Sequence, residues 1–120
     1  MKTIKIYLRS IEQDGKKRLA IFDSNRNAGI DDITTLVPLG ATVIWTTDCC
    51  SNIKSITKIY SKKGKRNVFK TDPRKRFLCK GLILNTSREA EGEEAYGIDY
   101  ILCDGTSHSV DPVIKIIPPQ

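Results

Sequence analysis

Four cysteines (Cys49, Cys50, Cys79, Cys103) and a single histidine, His108, are the residues of this chain best suited to covalent or metal chemistry. A nucleophilic site would need Cys103 or Ser107 activated by His108, with Asp104 or Asp111 orienting the ring. All of these fall within nine residues of one another. Such partners usually converge from distant segments, so Asp104-Gly105-Thr106-Ser107-His108 reads as a polar turn between strands. Glu89, Glu91, Glu93 and Glu94 read as a solvated acidic loop rather than an acid–base pair. There is no Gly-rich phosphate loop and no C-x-x-C. The expectation is a protein that is not an enzyme and carries no cofactor.

The charge is concentrated. Between Lys54 and Lys80 there are eleven basic residues and one acid, Asp72, within a chain of net charge +6. The segment therefore carries +10 and the remainder −4. Two loops, one holding Lys62, Lys63, Lys65 and Arg66 and the other Arg74, Lys75 and Arg76, are the candidate partner-binding residues. Lysine and arginine at this density suit an acidic protein surface or the phosphates of nucleic acid. The protein surface ranks first, because the aromatics of this belt (Tyr60, Phe69, Phe77) sit at strand-like positions facing a core instead of offering a stacking platform. The acidic 89–99 stretch is a candidate internal counter-charge.

The elements that would position these groups are strands. Ile4, Ile6 and Leu8 alternate with Lys5, Tyr7 and Arg9, and Asp14-Gly15 marks a turn before Leu19-Ala20-Ile21-Phe22. Residues 3–22 therefore read as a β-hairpin, followed by a polar loop over 24–32. Further strands are expected over 42–47, around Ile53, Ile56 and Ile59, at Val68-Phe69, over 77–84, 96–103 and 113–117. Residues 85–95 are the only stretch with helical character, limited by Gly92. A chain of 120 residues with no linker is one domain, 1–120. Seven or eight short strands separated by turn signals suggest an antiparallel sandwich or barrel, and the fold expected is an all-β, antiparallel Greek-key sandwich. No apolar run is long enough to span a membrane, and the N-terminus lacks the apolar stretch of a signal peptide, so a cytoplasmic location is expected. Pro118-Pro119 after the last strand would blunt an exposed edge, consistent with a monomer or a small hetero-complex.

Two segments resemble the cupredoxin family. Val37-Pro38-Leu39-Gly40-Ala41-Thr42-Val43-Ile44-Trp45 is similar to that family's turn-and-strand pattern. Tyr96 to Cys103 resembles its penultimate strand, Asp104 to Asp111 its ligand loop and Val113 to Ile117 its closing strand. Immunoglobulin-like sandwiches share much of this outline and are the alternative. The resemblance implies a copper site of two histidines, a cysteine and an axial methionine. Here Cys103 and His108 keep a C-x4-H spacing, but His108 is the only histidine and Met1 the only methionine. The expectation is no resident metal. The alternative function is a degenerate cupredoxin that gathers Cys49, Cys50, Cys103 and His108 at one pole, because the resemblance places the loop after the Trp45 strand beside the loop after the Tyr100 strand. The first-choice function is a non-catalytic interaction module that uses the basic loops.

Overall fold

In a computed structural model, residues 3–47, 51–62, 73–75, 82–85 and 92–117 are described. The N-terminal alternation gives β1 (Thr3–Gln13), which buries Ile4, Ile6 and Leu8 completely. Asp14 and Gly15 both take positive φ (53° and 76°), the left-handed pair that suits a two-residue hairpin turn. The turn leads into β2 (Lys16–Asp23), paired antiparallel from Gln13↔Lys16 to Ile6↔Asp23. Then come β3 (Ala28–Ile30), β4 (Thr34–Pro38), β5 (Thr42–Thr47), β6 (Ile53–Ser61), β7 (Arg74–Lys75), β8 (Leu82–Asn85), β9 (Glu93–Leu102), β10 (Ser107–Val110) and β11 (Val113–Ile117).

The strands form two sheets. One has the order β3-β2-β1-β5-β8-β7. The other is built on β9, which pairs with β6 along one edge and with β10 and then β11 along the other; β4 adds beyond β11. Ala95 and Tyr96 show the two edges directly: the carbonyl of Ala95 accepts from the Lys62 amide, whereas the amide of Tyr96 donates to the Pro112 carbonyl.

The all-β sandwich is as expected, but the sheets are mixed. β1 pairs parallel with β5, and β4 parallel with β11. Pairing direction depends on how the chain crosses between layers, which the side-chain alternation of a strand does not encode. Eleven strands occur among the described residues. The 24–32 loop contains β3, and the 104–111 loop is a tight turn followed by β10. Glu93 to Ala95 open β9 as strand, while 86–91, Val68-Phe69 and 76–81 lie outside the described residues.

Between the sheets lies one core that includes Trp45, Tyr96, Ile98, Leu102, Val43 and Ile114. β6 feeds it with a spacing of three: Ile53, Ile56 and Ile59 are all buried. Register shifts between Ile53 and Ser55 and between Ile56 and Lys58 each accommodate an extra residue, so all three isoleucines face inward.

Candidate functional site

The hairpin joining β9 to β10 places His108. Gly105 takes φ 89°, and the Leu102 amide donates to the Thr106 carbonyl at 2.9 Å, closing the turn. Asp104 Oδ1 accepts from both the amide (2.9 Å) and the hydroxyl (2.6 Å) of Thr106. These bonds hold the Asp104 carboxyl below its ordinary range. The Thr106 hydroxyl has one proton, and the carboxylate takes it. Its 2.9 Å contact with His108 Nε2 is therefore one in which the imidazole Nε2–H donates. The His108 ring also stacks on Tyr100, with centroids 5.6 Å apart at 21°.

Beside this pair a cleft of about 390 Å³ opens, lined by Lys17, Asp31, Asp32, Tyr100, His108 and Asp111 among others. Burial, and the negative charge of Asp31, push the Tyr100 phenol up to about 12. Asp31 is fixed by the Leu19 amide (2.8 Å) and by Arg18 Nη1 (2.9 Å).

Ser107 and His108 are consecutive in β10 and face opposite sides of the sheet. The serine hydroxyl and the imidazole therefore do not assemble into a nucleophile–base pair. Cys103 is exposed and free, and its amide donates to the Asn52 carbonyl at 2.9 Å. Asn52, just before β6, thus lies beside Cys103. Cys49 and Cys50 lie outside the described residues, among which no group of three or more His, Cys, Asp or Glu could hold a metal ion.

In the basic segment, Lys62 is exposed and its Nζ lies 2.5 Å from Asp111 Oδ1. That hydrogen bond pushes the Lys62 ammonium above its ordinary value. Lys54 and Lys58 are exposed on β6, a terminal strand of its sheet, with Lys58 Nζ 5.1 Å from the Tyr60 ring centroid. Arg74 and Lys75 form β7, the terminal strand of the other sheet. Lys63, Lys65, Arg66 and Arg76 lie outside the described residues. Asp99, from the acidic stretch, accepts from Ser109 Oγ (2.7 Å) and the Tyr60 hydroxyl (3.2 Å).

The residues that sequence reasoning passed over are on the outer face of the six-stranded sheet. Tyr7 and Phe22 are direct cross-strand partners, and their rings stack at 5.2 Å and 15°. Lys5 and Arg9 flank Tyr7 on the same face of β1. Register carries the Lys5 row outward through Ile44 and Ile83 to Arg74. Among the described residues no aspartate or glutamate occupies this face. The signal was present in the sequence: Lys5, Tyr7 and Arg9 are the odd phase of the same alternation whose even phase marks the core.

The molecule is therefore an all-β sandwich of two mixed sheets, with a polar cleft at the β9–β10 hairpin and cations on its terminal strands. No family model matches the chain, and no curated protein matches it. Among the described residues no helix is long and apolar enough to cross a membrane.

Proposed function

We propose that this protein is a non-catalytic, cupredoxin-like binding module that associates with an acidic macromolecule through its basic β6–β7 region. One observation carries the reading. The exposed Lys54 and Lys58 lie on one terminal strand and Arg74-Lys75 make up another, while the segment joining them is the most basic in the chain. Terminal strands are where a partner can approach without disturbing the core, and lysines there also discourage indiscriminate strand pairing. The positive potential would steer an acidic surface into contact before polar bonds form. Support for the cupredoxin likeness is the Val37–Trp45 segment, whose Gly40 turn (φ 79°) joins β4 to β5, together with the β9–β11 closing strands.

The test is charge reversal. With Lys63, Lys65, Arg74 and Arg76 changed to glutamate, the domain is expected to keep its far-ultraviolet dichroism and lose salt-sensitive retention on a polyanion such as heparin. Elution of the folded variant at the same salt concentration as the parent would show that the segment is incidental to binding.

A further inference from the structure

The outer face of the six-stranded sheet carries a more specific assignment, resting on the reading that the partner is an acidic macromolecule. We propose that the outer face of the six-stranded sheet binds single-stranded nucleic acid, with bases stacked against Tyr7 and Phe22 and phosphates held by Lys5 and Arg9.

Three observations support this. First, an aromatic pair stands at the centre of a solvent-side sheet face, where the fold does not need it: the core lies on the opposite side of β1 and β2 and is complete with Ile4, Ile6, Leu8, Leu19 and Ile21. Tyr7 and Phe22 are only half-buried. Second, the rows on either side of the pair carry cations, Lys5 in one and Arg9 in the other. Successive rows are about 7 Å apart along a strand, so the two positive positions bracket the rings. Third, there is no carboxylate among the described residues of the face to repel a phosphate. Arg18, at its margin, has its charge met by Asp31.

Every base has a π-face, and stacking on protein aromatics rewards bases that are unpaired. A duplex hides those faces, and among the described residues there is no helix to enter a groove. An acidic protein would use the cations but gain no comparable advantage from the stacked rings.

Fluorescence anisotropy with a labelled oligothymidylate tests the assignment against two probes, its duplex with oligoadenylate and poly-glutamate, at low ionic strength. The single strand is expected to bind more tightly than either. Tyr7→Leu and Phe22→Leu keep apolar volume but remove the stacking surface, and each is expected to weaken binding about tenfold. Lys5→Gln should lower the slope of log affinity against log salt by about one. Dichroism and thermal unfolding show that each variant is folded. No single-strand binding, equal binding of the duplex, or undiminished binding by the double leucine variant would overturn the proposal. Oligonucleotide binding that is kept in the double leucine variant and lost on charge reversal of Lys63 and Lys65 would sink this face while leaving the basic-region reading intact. Preferential binding of poly-glutamate, sensitive to Lys5 but not to the rings, would assign the face to an acidic protein instead.

Discussion

Trp45 on β5 and Tyr96 on β9 tie the two sheets together: the indole Nε1–H donates to the Tyr96 hydroxyl at 3.1 Å, and the rings meet edge-to-face at 5.6 Å and 68°. Both side chains are fully buried. A buried donor that loses its acceptor costs about 1–3 kcal/mol. Tyr96→Phe keeps the ring and removes the acceptor, so it should destabilise the domain by that amount. Trp45 is the only tryptophan, so its fluorescence reports on this contact as urea unfolds the protein. The expected result is a lower urea midpoint with an unchanged slope. A midpoint equal to that of the parent would show that the bond contributes nothing net.

The same tyrosine predicts a loss of stability in alkali. Burial raises the Tyr96 phenol far above its ordinary value, and it raises Tyr100 to about 12. In the unfolded chain both ionise near pH 10. Above that pH the unfolded state holds fewer protons than the folded state, so stability falls as pH rises, by about 1.4 kcal/mol per pH unit for each phenol. The Tyr100 contribution is lost between about pH 10 and 12, and that of Tyr96 continues to fall beyond. Urea midpoints measured from pH 8 upward should be flat until about pH 10 and then decline. Tyr96→Phe should shallow that decline. An equally steep decline in the variant would mean that Tyr96 ionises in place.

These two residues also show what the sequence made legible. Trp45 lies in a β-branched run and Tyr96 opens an apolar one, so both were readable as strand residues, as were the N-terminal hairpin and the closing strand. That the two rings touch was not readable, because the contact joins positions 51 residues apart across layers. The parallel pairing of β1 with β5 was hidden for the same reason. β6 was legible as a strand, but the inward turn of Ile53, Ile56 and Ile59 needs two bulges, and a spacing of three does not announce them. β10 was read as loop because Ser107-His108-Ser109 is polar; it forms a strand by pairing with β9. At the site, Lys62 and Arg74-Lys75 were legible as charge. Tyr7 and Phe22 were absorbed into a hairpin, because periodicity shows that two faces exist but not which neighbours share the outer one.

Gly29 on β3 marks a close approach that no larger residue could make. A Cβ built there overlaps the backbone carbonyl oxygen of Asp32. That carbonyl cannot swing aside cheaply, because neighbouring Asp31 is clamped to Leu19, its amide donating to the Leu19 carbonyl at 2.7 Å and its carboxylate accepting from the Leu19 amide at 2.8 Å. Gly29→Ala should therefore cost about 1–3 kcal/mol through overpacking and lower the thermal midpoint. Gly15→Ala meets no atom within 4 Å and suffers only from its positive φ of 76°. It should cost about 1–2 kcal/mol and leave the Asp31 clamp unchanged. Amide hydrogen exchange at Leu19 and Asp31 separates the two, since only Gly29→Ala should accelerate it.

In the turn that carries His108, one hydroxyl serves two partners. Thr106 Oγ1 donates to Asp104 Oδ1 at 2.6 Å and meets His108 Nε2 at 2.9 Å, so a single side chain both orients the imidazole and holds the carboxylate ionised. Thr106→Val keeps the branched shape and removes the hydroxyl. The Thr106 side chain is the largest cause of the low Asp104 value, so the carboxyl in the variant should titrate closer to its ordinary range. Because the folded value lies below the unfolded one, whatever stability the bond provides is present at neutral pH and is lost as pH falls through the carboxylate range. Carbon-detected NMR titration of the Asp104 carboxyl reads this directly. The midpoint should rise in Thr106→Val, and the His108 ring resonances should broaden or shift as Nε2 loses its partner. An unchanged midpoint would mean that the backbone amide of Thr106 alone, 2.9 Å from the same oxygen, sets the charge at this turn.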